Sequence, residues 1–480
     1  MNIQQTASTY IHSLQSPLTL TFIAGIGILF SLLSSFAVYS LSLEWIPLVL
    51  AFSIGGIALI VYKPVYWLYF VAATMRFILY DEEDGFSIFE LTLGLSYLMT
   101  LLFWLFWYVI VQRKTLVRNK PDMLLIAFLC CIPFNGIIAY TNGVDPVKWF
   151  REIHNYIFIL YYFPIREYIT TKKELITLLT IIALAFMSLS IQNILAYKRA
   201  TTDAKYAFQL IFARSAARVN SVYFSLCAAF GFVALSYMKK NYLRVLLTIF
   251  VLITVVASLT SMARTSWVIV IASALFSMVF APRNNRLFFT TALITIIVST
   301  IGGVMLFGGK NVGIVKKIID KRLSSVGKLN DYSYLTRVNE NEVALELIQQ
   351  YPLGGNGIGK DKLHYDLVIK NHEYASYIHN GYISLAYKLG IPMALLFFSF
   401  LGGYTILTLQ FFFRSYDKIS KGLALCCFLA MCVYFVSNIA GCVFDIRQGV
   451  FITFIIIGLL NTIPNIENSL HPDGELSWQK

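Results

Sequence analysis

Charge is what this sequence has least of. Only 13% of its 480 residues are charged, about half the roughly 25% of a soluble globular chain, so a water-soluble enzyme of this size is excluded. Hydrophobic residues make up 58% and aromatic residues 15%, with a mean hydropathy of +0.69. The first 16 residues hold no Lys or Arg. The basic n-region of a cleaved signal peptide is therefore missing, and the first apolar run is expected to stay as a membrane anchor. Cysteine is scarce too: Cys130, Cys131, Cys227, Cys426, Cys427, Cys432 and Cys442 all lie within or at the edge of apolar segments. Neither the spacing of a disulfide framework nor that of a zinc site is present.

What the sequence does have is apolar runs of about 20 residues, long enough to cross a hydrocarbon core about 30 Å thick. Candidate spans fall near 17–38, 45–62, 65–80, 88–112, 122–140, 149–165, 174–196, 219–237, 242–260, 265–282, 288–308, 385–413, 421–442 and 447–463. The expected fold class is an all-α polytopic membrane protein of about 12–14 transmembrane helices with one large, partly helical periplasmic loop. The 38 Lys+Arg against 25 Asp+Glu give a net charge of +13, which reads as the positive-inside bias of cytoplasmic loops rather than as affinity for nucleic acid. Basic clusters at Arg113 to Lys120, Arg166 to Lys173, Lys239 to Arg244, Arg283 with Arg286, and Arg414 to Lys421 mark every second gap. The run Asp81-Glu82-Glu83-Asp84 marks the opposite face. This alternation puts both termini in the cytoplasm.

The expected domains are membrane helices over 1–308 (about eleven spans), a large periplasmic loop over 309–384, about three further spans over 385–463, and a cytoplasmic tail over 464–480. The large loop mixes ten Lys or Arg with eight Asp or Glu between 309 and 378. A loop this long is functional or disordered, and its complexity favours a folded cap. Asn339 to Gln350 reads as an amphipathic helix, with Val343, Leu345, Leu347 and Ile348 among Glu340, Glu342 and Glu346, stopped by Pro352 and the glycines after it. Residues 197–218 read as a second, shorter basic external loop. No internal repeat is visible, which leans away from a transporter.

Several residues carry candidate chemistry. Tyr351 to Lys360 nearly matches a phosphate-binding loop, but Asp361 stands where the Mg²⁺-binding hydroxyl belongs and no apolar strand precedes the run. A glycine turn that lets the backbone approach a ligand or another segment is the better reading. Arg264 sits in Ser261-Met262-Ala263-Arg264 between two spans with almost no loop. It either snorkels to head groups or marks a site. Arg337, at the start of the amphipathic helix, is either a solvated residue, a partner of Glu340, or a ligand-binding group. His379, where the loop returns to the membrane, is either structural or catalytic. All three fall on one predicted face. Arg76, Arg151, Glu152 and His154 are ionisable at membrane depth; Arg151 with Glu152, and Asp445 with Arg447, read as local pairs.

The ordered set formed by Ser261 to Arg264, Arg337, Pro352 to Gly359, His379-Asn380-Gly381-Tyr382 and Leu389-Gly390-Ile391-Pro392 resembles the O-antigen ligase and O-antigen polymerase superfamily of bacterial membranes. The resemblance implies a glycosyltransferase of the bacterial cytoplasmic (inner) membrane with its active site on the periplasmic side. The implied donor is a glycan on undecaprenyl diphosphate, and the acceptor is a glycan or the lipid A core. The O-antigen ligase type is expected, with a repeat-unit polymerase of the same superfamily as the alternative and a polysaccharide flippase as a further one. A diphosphate leaving group gains charge as the glycosidic bond breaks, and guanidinium groups suit it because they bind phosphate oxygens bidentately. Arg264 and Arg337 are expected in that role, with Arg218 as a third. His379 suits the base that takes the acceptor proton. Asn380, Tyr382, Tyr377 and Lys360 are expected to line the substrate site. Neither metal nor nucleotide is expected, and the sequence says nothing of oligomeric state.

Overall fold

The computed structural model describes residues 46–79, 88–203, 221–261, 263–307, 332–367, 370–439, 441–444 and 447–470. The expected span at 17–38, the acidic run 81–84, Arg214, Arg218, residues 308–331, Asp445 and residues 471–480 lie outside these, as do the side chains of His154 and Arg447. The protein is an all-α polytopic membrane protein. Six described helices are long and apolar enough to cross a membrane by length and composition, and four shorter apolar helices accompany them. Large apolar side chains such as Ile137, Val268, Ile271 and Leu287 point outward, the arrangement a lipid solvent rewards.

The chain divides into two compact units, residues 1–71 with 82–114, and residues 72–81 with 115–480. The first unit contains α1 (Ile46–Tyr62), the start of α2 (Pro64–Leu79) and α3 (Ile88–Leu105), which ends in a π-turn at Phe106–Val111. Gly56 lets α1 pass close to α3, since a Cβ there would meet Thr100 Cγ2 at 2.4 Å.

The second unit holds α4 (Lys120–Thr141), α5 (Pro146–Ile157), a 3-10 turn at Phe158–Tyr161, α6 (Tyr162–Tyr168), α7 (Lys172–Asp203), α8 (Ser221–Tyr237), α9 (Asn241–Thr260), α10 (Arg264–Phe280) and α11 (Arg286–Phe307). After the large loop's α12 (Tyr332–Gln350) and hairpin β1 (Lys362–Asp366) and β2 (Asn371–Ala375) come α13 (Gly381–Leu389), α14 (Ile391–Arg414), α15 (Lys418–Ile439), α16 (Arg447–Leu460) and α17 (Ile463–Leu470). Three expectations change. The span at 149–165 is broken into α5, the turn and α6, because Pro164 has no N–H to give the Leu160 carbonyl. The span at 174–196 continues as helix to Asp203, carrying Lys198 and Arg199 with it. The span at 385–413 is interrupted at Gly390, whose φ of 81° no side chain adopts easily.

Two seams hold the second unit together at its ends. At one end, α4 begins with a capping box formed by Asn119 and Asp122. Asp122 is fully buried there with Arg166 at 2.7 Å and also accepts from the Tyr162 and Tyr404 hydroxyls. Arg166, read from the sequence as a solvated loop cation, is thus 2% exposed. Helix α6, through Tyr162, and the middle of α14, through Tyr404, meet on its Asp122 partner.

At the other end sits the cap. The glycine run after α12 wedges between α4 and the α13–α14 junction. Gly355 N–H donates to Tyr351 O, Asn356 N–H to Tyr387 O, and Ile391 N–H to Pro352 O. A Cβ on Gly355 would lie 2.4 Å from Gly390 N, and one on Gly357 2.5 Å from Ala139 Cα. Asn135 of α4 clamps the same run, donating to Lys388 O and accepting from Ile358 N–H. The run is therefore a backbone-to-backbone wedge, not a phosphate loop. Below it, Tyr382, Phe397, Phe398, Tyr434 and Phe444 form a connected aromatic cluster.

Gly355→Val and Gly390→Val are expected to destabilise the protein by about 2 kcal/mol or more through clash and strain. Gly402→Ala, where a Cβ meets nothing within 4 Å, is the control. Thermal unfolding of the detergent-purified variants checks this, and a Gly355→Val melting like the Gly402→Ala protein would contradict it.

Candidate functional site

The site grows from α12. Its buried stripe is Thr336, Glu340, Ala344 and Ile348, a four-residue repeat that keeps these side chains on one face. Leu345, expected on the apolar face, is 47% exposed. Ala344 and Ile348 pack with Ile378 and Tyr387, which docks the helix on the segment leading into α13. Thr336 Oγ1 accepts from Leu367 N–H at 3.1 Å, fixing the helix to the end of β1. The hairpin pairs Lys362 with Ala375 and Asp366 with Asn371, an element that polar segments such as KLHYD did not announce.

Glu340 is the charged member of that stripe, and its residue is 1% exposed. Its Oε1 accepts from Lys362 Nζ at 3.2 Å. Its Oε2 accepts from the His379 backbone N–H at 3.0 Å and lies 2.9 Å from His379 Nδ1. Lys362, itself buried, also donates to Tyr377 O at 3.2 Å. The His379 side chain remains 37% exposed, so Nε2 is the ring nitrogen left to meet a substrate. The Tyr377 ring stands edge-on to the imidazole at 4.8 Å.

Burial pushes the Glu340 carboxyl up, but its hydrogen bonds and charge interactions with His379 and Lys362 outweigh burial and hold it down to about 2. Burial lowers the Lys362 ammonium against the opposing pull of Glu340. Burial, followed by the Lys362 charge, lowers His364, whose Nδ1 is buried without a hydrogen-bond partner among the described residues. Burial raises the Tyr377 hydroxyl, and the charge of Arg337 opposes that shift.

The other expected site residues separate into two groups. Arg337 lies one turn before Glu340 on α12, half-buried, and its charge reaches Tyr377. Both Glu340 oxygens are engaged by Lys362 and His379. Arg264 is the first residue of α10 after the break that ends α9 at Thr260. Phe276 of α10 stacks near Phe428 of α15. These helices run in opposite senses, because Phe280 further along α10 meets Phe412 of α14, beside the start of α15. Arg264 therefore lies at the end of the bundle where α15 finishes and Gly441 O accepts from Gly381 N–H, the end that carries the cap. Arg218 is outside the described residues.

Asn380, Tyr382 and Lys360 make framework contacts. Asn380 Oδ1 caps α13 by accepting from Tyr382 and Ile383 N–H. Tyr382 donates to Phe435 O at 3.0 Å. Lys360 donates to Asn142 O at 2.6 Å, closing the C-terminus of α4. A second ionic tie links α5 to the cap, Glu152 accepting from Lys388 Nζ at 2.8 Å and from Ser376 Oγ at 3.0 Å. Among the described residues no group of three or more His, Cys, Asp or Glu is arranged to hold a metal ion.

Glu340→Ala is expected to cost about 3–5 kcal/mol, because it strands Lys362 as a buried unpaired charge. The pH dependence has a fixed sign. A carboxyl lowered from 4.5 to about 2 contributes stability that is complete above 4.5 and is lost as pH falls through about 2. Melting temperature against pH should therefore drop over that window in the native protein and drop less in Glu340→Gln/Lys362→Met; equal drops would refute the assignment.

Comparison with known families places this geometry. Residues 249–398 match the model of the O-antigen ligase family, a stretch that contains Arg264, Arg337, Glu340, Lys362 and His379. No curated protein matches the chain. Residues 249–398 thus carry an O-antigen ligase domain, which supports the O-antigen ligase and O-antigen polymerase superfamily.

Proposed function

We propose that the protein is a glycosyltransferase of the bacterial inner membrane that moves a glycan from undecaprenyl diphosphate to an acceptor sugar hydroxyl at the periplasmic face. The observation that carries the reading is the placement of a half-exposed His379, anchored through Nδ1 to a buried carboxylate, on the cap end that also presents Arg337 and Arg264. In the reaction, His379 Nε2 takes the acceptor proton as the acceptor oxygen bonds to the anomeric carbon of the donor. The bond from that carbon to the phosphate oxygen breaks, and undecaprenyl diphosphate leaves with the electron pair. Arg264 and Arg337 receive the growing negative charge on the diphosphate, with Arg218 as a third guanidinium. An imidazole that keeps a lone pair on Nε2 suits the proton transfer. The guanidinium groups fill the charge-stabilising role that a divalent ion plays in many sugar-nucleotide enzymes, so no metal is assigned.

Within the superfamily the O-antigen ligase type is preferred, with the lipid A core as acceptor, because Pro352 to Gly359 and His379 to Tyr382 keep the motif order that carried the resemblance. The polymerase reading shares the donor chemistry and differs only in acceptor. A transporter is less well supported. The ion pairs Glu340–Lys362 and Glu152–Lys388 lie at the cap end, and Asp122–Arg166 lies at the other; these three described pairs do not form a path through the bundle.

Arg264→Ala, Arg337→Ala and His379→Ala are each expected to lower glycan transfer by at least about 10²-fold at normal protein levels, with chelator leaving the native rate unchanged. Surface polysaccharide and in vitro transfer read this out, and unchanged polysaccharide in the His379→Ala strain would reject the reading. In a deletion strain, loss of all polymer on the core identifies a ligase, whereas single repeats still attached to the core identify a polymerase.

A further inference from the structure

We propose that Glu340 is a positioning residue for His379, with Lys362 as the counter-ion that keeps its carboxylate ionised and in place. The proposal rests on the reading of His379 as the acceptor base. Three features of the geometry carry it. One oxygen of Glu340 serves both the backbone N–H and Nδ1 of His379, at 3.0 and 2.9 Å. A carboxylate that holds the backbone and the ring of the same residue fixes the imidazole plane as well as its location. An ionised carboxylate can only accept, so a neutral His379 must present Nδ1–H to it and keep its lone pair on Nε2, the nitrogen left for the acceptor. The second oxygen of Glu340 is held by Lys362 at 3.2 Å, and Lys362 is fixed in turn by the Tyr377 carbonyl. The carboxylate therefore has no freedom to swing away.

A buried ion pair is weak evidence for stability by itself, since an apolar pair of similar volume is often as stable. This one differs in its third partner. The pair touches the only residue between β2 and α13 proposed to handle a proton, and Tyr377 closes the other side of the ring.

The test uses the full-length protein in nanodiscs, with undecaprenyl-diphosphate-linked oligosaccharide extracted from a strain lacking the gene as donor. Glu340→Gln keeps the side-chain shape but loses the charge and the strict acceptor role. Glu340→Gln/Lys362→Met removes both charges, so neither partner is left buried and unpaired. In both, kcat is expected to fall at least about 100-fold, loss of the orienting carboxylate of a Ser-His-Asp triad costing about 10⁴, while KM for the donor stays within about twofold. In a His379→Ala background, adding Glu340→Gln is expected to change the residual rate by less than about twofold, because a residue that acts only through His379 has nothing left to act on. A purely structural Glu340 would lower the amount of folded enzyme without a selective fall in kcat. Wild-type kcat in a folded Glu340→Gln/Lys362→Met enzyme would overturn the proposal, as would an equal fall in the His379→Ala background. If His379→Ala itself transfers at the native rate, the base reading fails; if His379→Ala is slow and the double variant is not, only the positioning role fails.

Discussion

The cap depends on one buried carboxylate. Moving an ionised carboxyl out of water costs several kcal/mol even after relaxation, and Glu340 recovers that cost only if Lys362, the His379 backbone and the His379 ring all stay within hydrogen-bonding reach. Those partners come from β1 and from the segment before α13, while Glu340 itself comes from α12. A single electrostatic requirement therefore ties together three elements, beside the apolar cluster of Ala344, Ile348, Ile378 and Tyr387 that docks α12 on the segment before α13. The consequence is local: the half-exposed His379 is held through both its backbone and its ring.

The cap in turn is tied to the bundle by polar and backbone contacts. Asn135 clamps the glycine wedge, Glu152 reaches Lys388 and Ser376, and Lys360 closes the end of α4. At the opposite end, Asp122 and Arg166 perform the same service for α4, α6 and α14. A chain with so few charges places several of them in buried pairs at the two ends and leaves the helix walls to lipid.

Much of this was legible in the sequence. Among the described residues most apolar runs fall on helices, a break separates Thr260 from the helix that starts at Arg264, and the glycine run is a close-approach turn. What escaped is instructive. Glu340 reads as one of several glutamates on an amphipathic helix, and its partners lie 22 and 39 residues away, beyond any local pattern. A signal did exist, because Thr336, Glu340, Ala344 and Ile348 share one face while Leu345 does not. Choosing the face by counting large apolar residues hid it. Arg166 was missed for a related reason: a basic residue beside a loop looks solvated until Asp122, 44 positions earlier, is brought beneath it. The hairpin was missed because its strands are polar and lie against α12 instead of in an apolar core.

In the proposed reaction the cap end holds the diphosphate and the acceptor together. An electron-microscopy reconstruction of the protein in nanodiscs loaded with undecaprenyl-diphosphate-linked glycan tests it most directly. Density for the diphosphate is expected against Arg264 and Arg337, with the reducing-end sugar beside the Nε2 edge of His379. Diphosphate density at the Asp122 and Arg166 end, or on the cap away from His379, would contradict it.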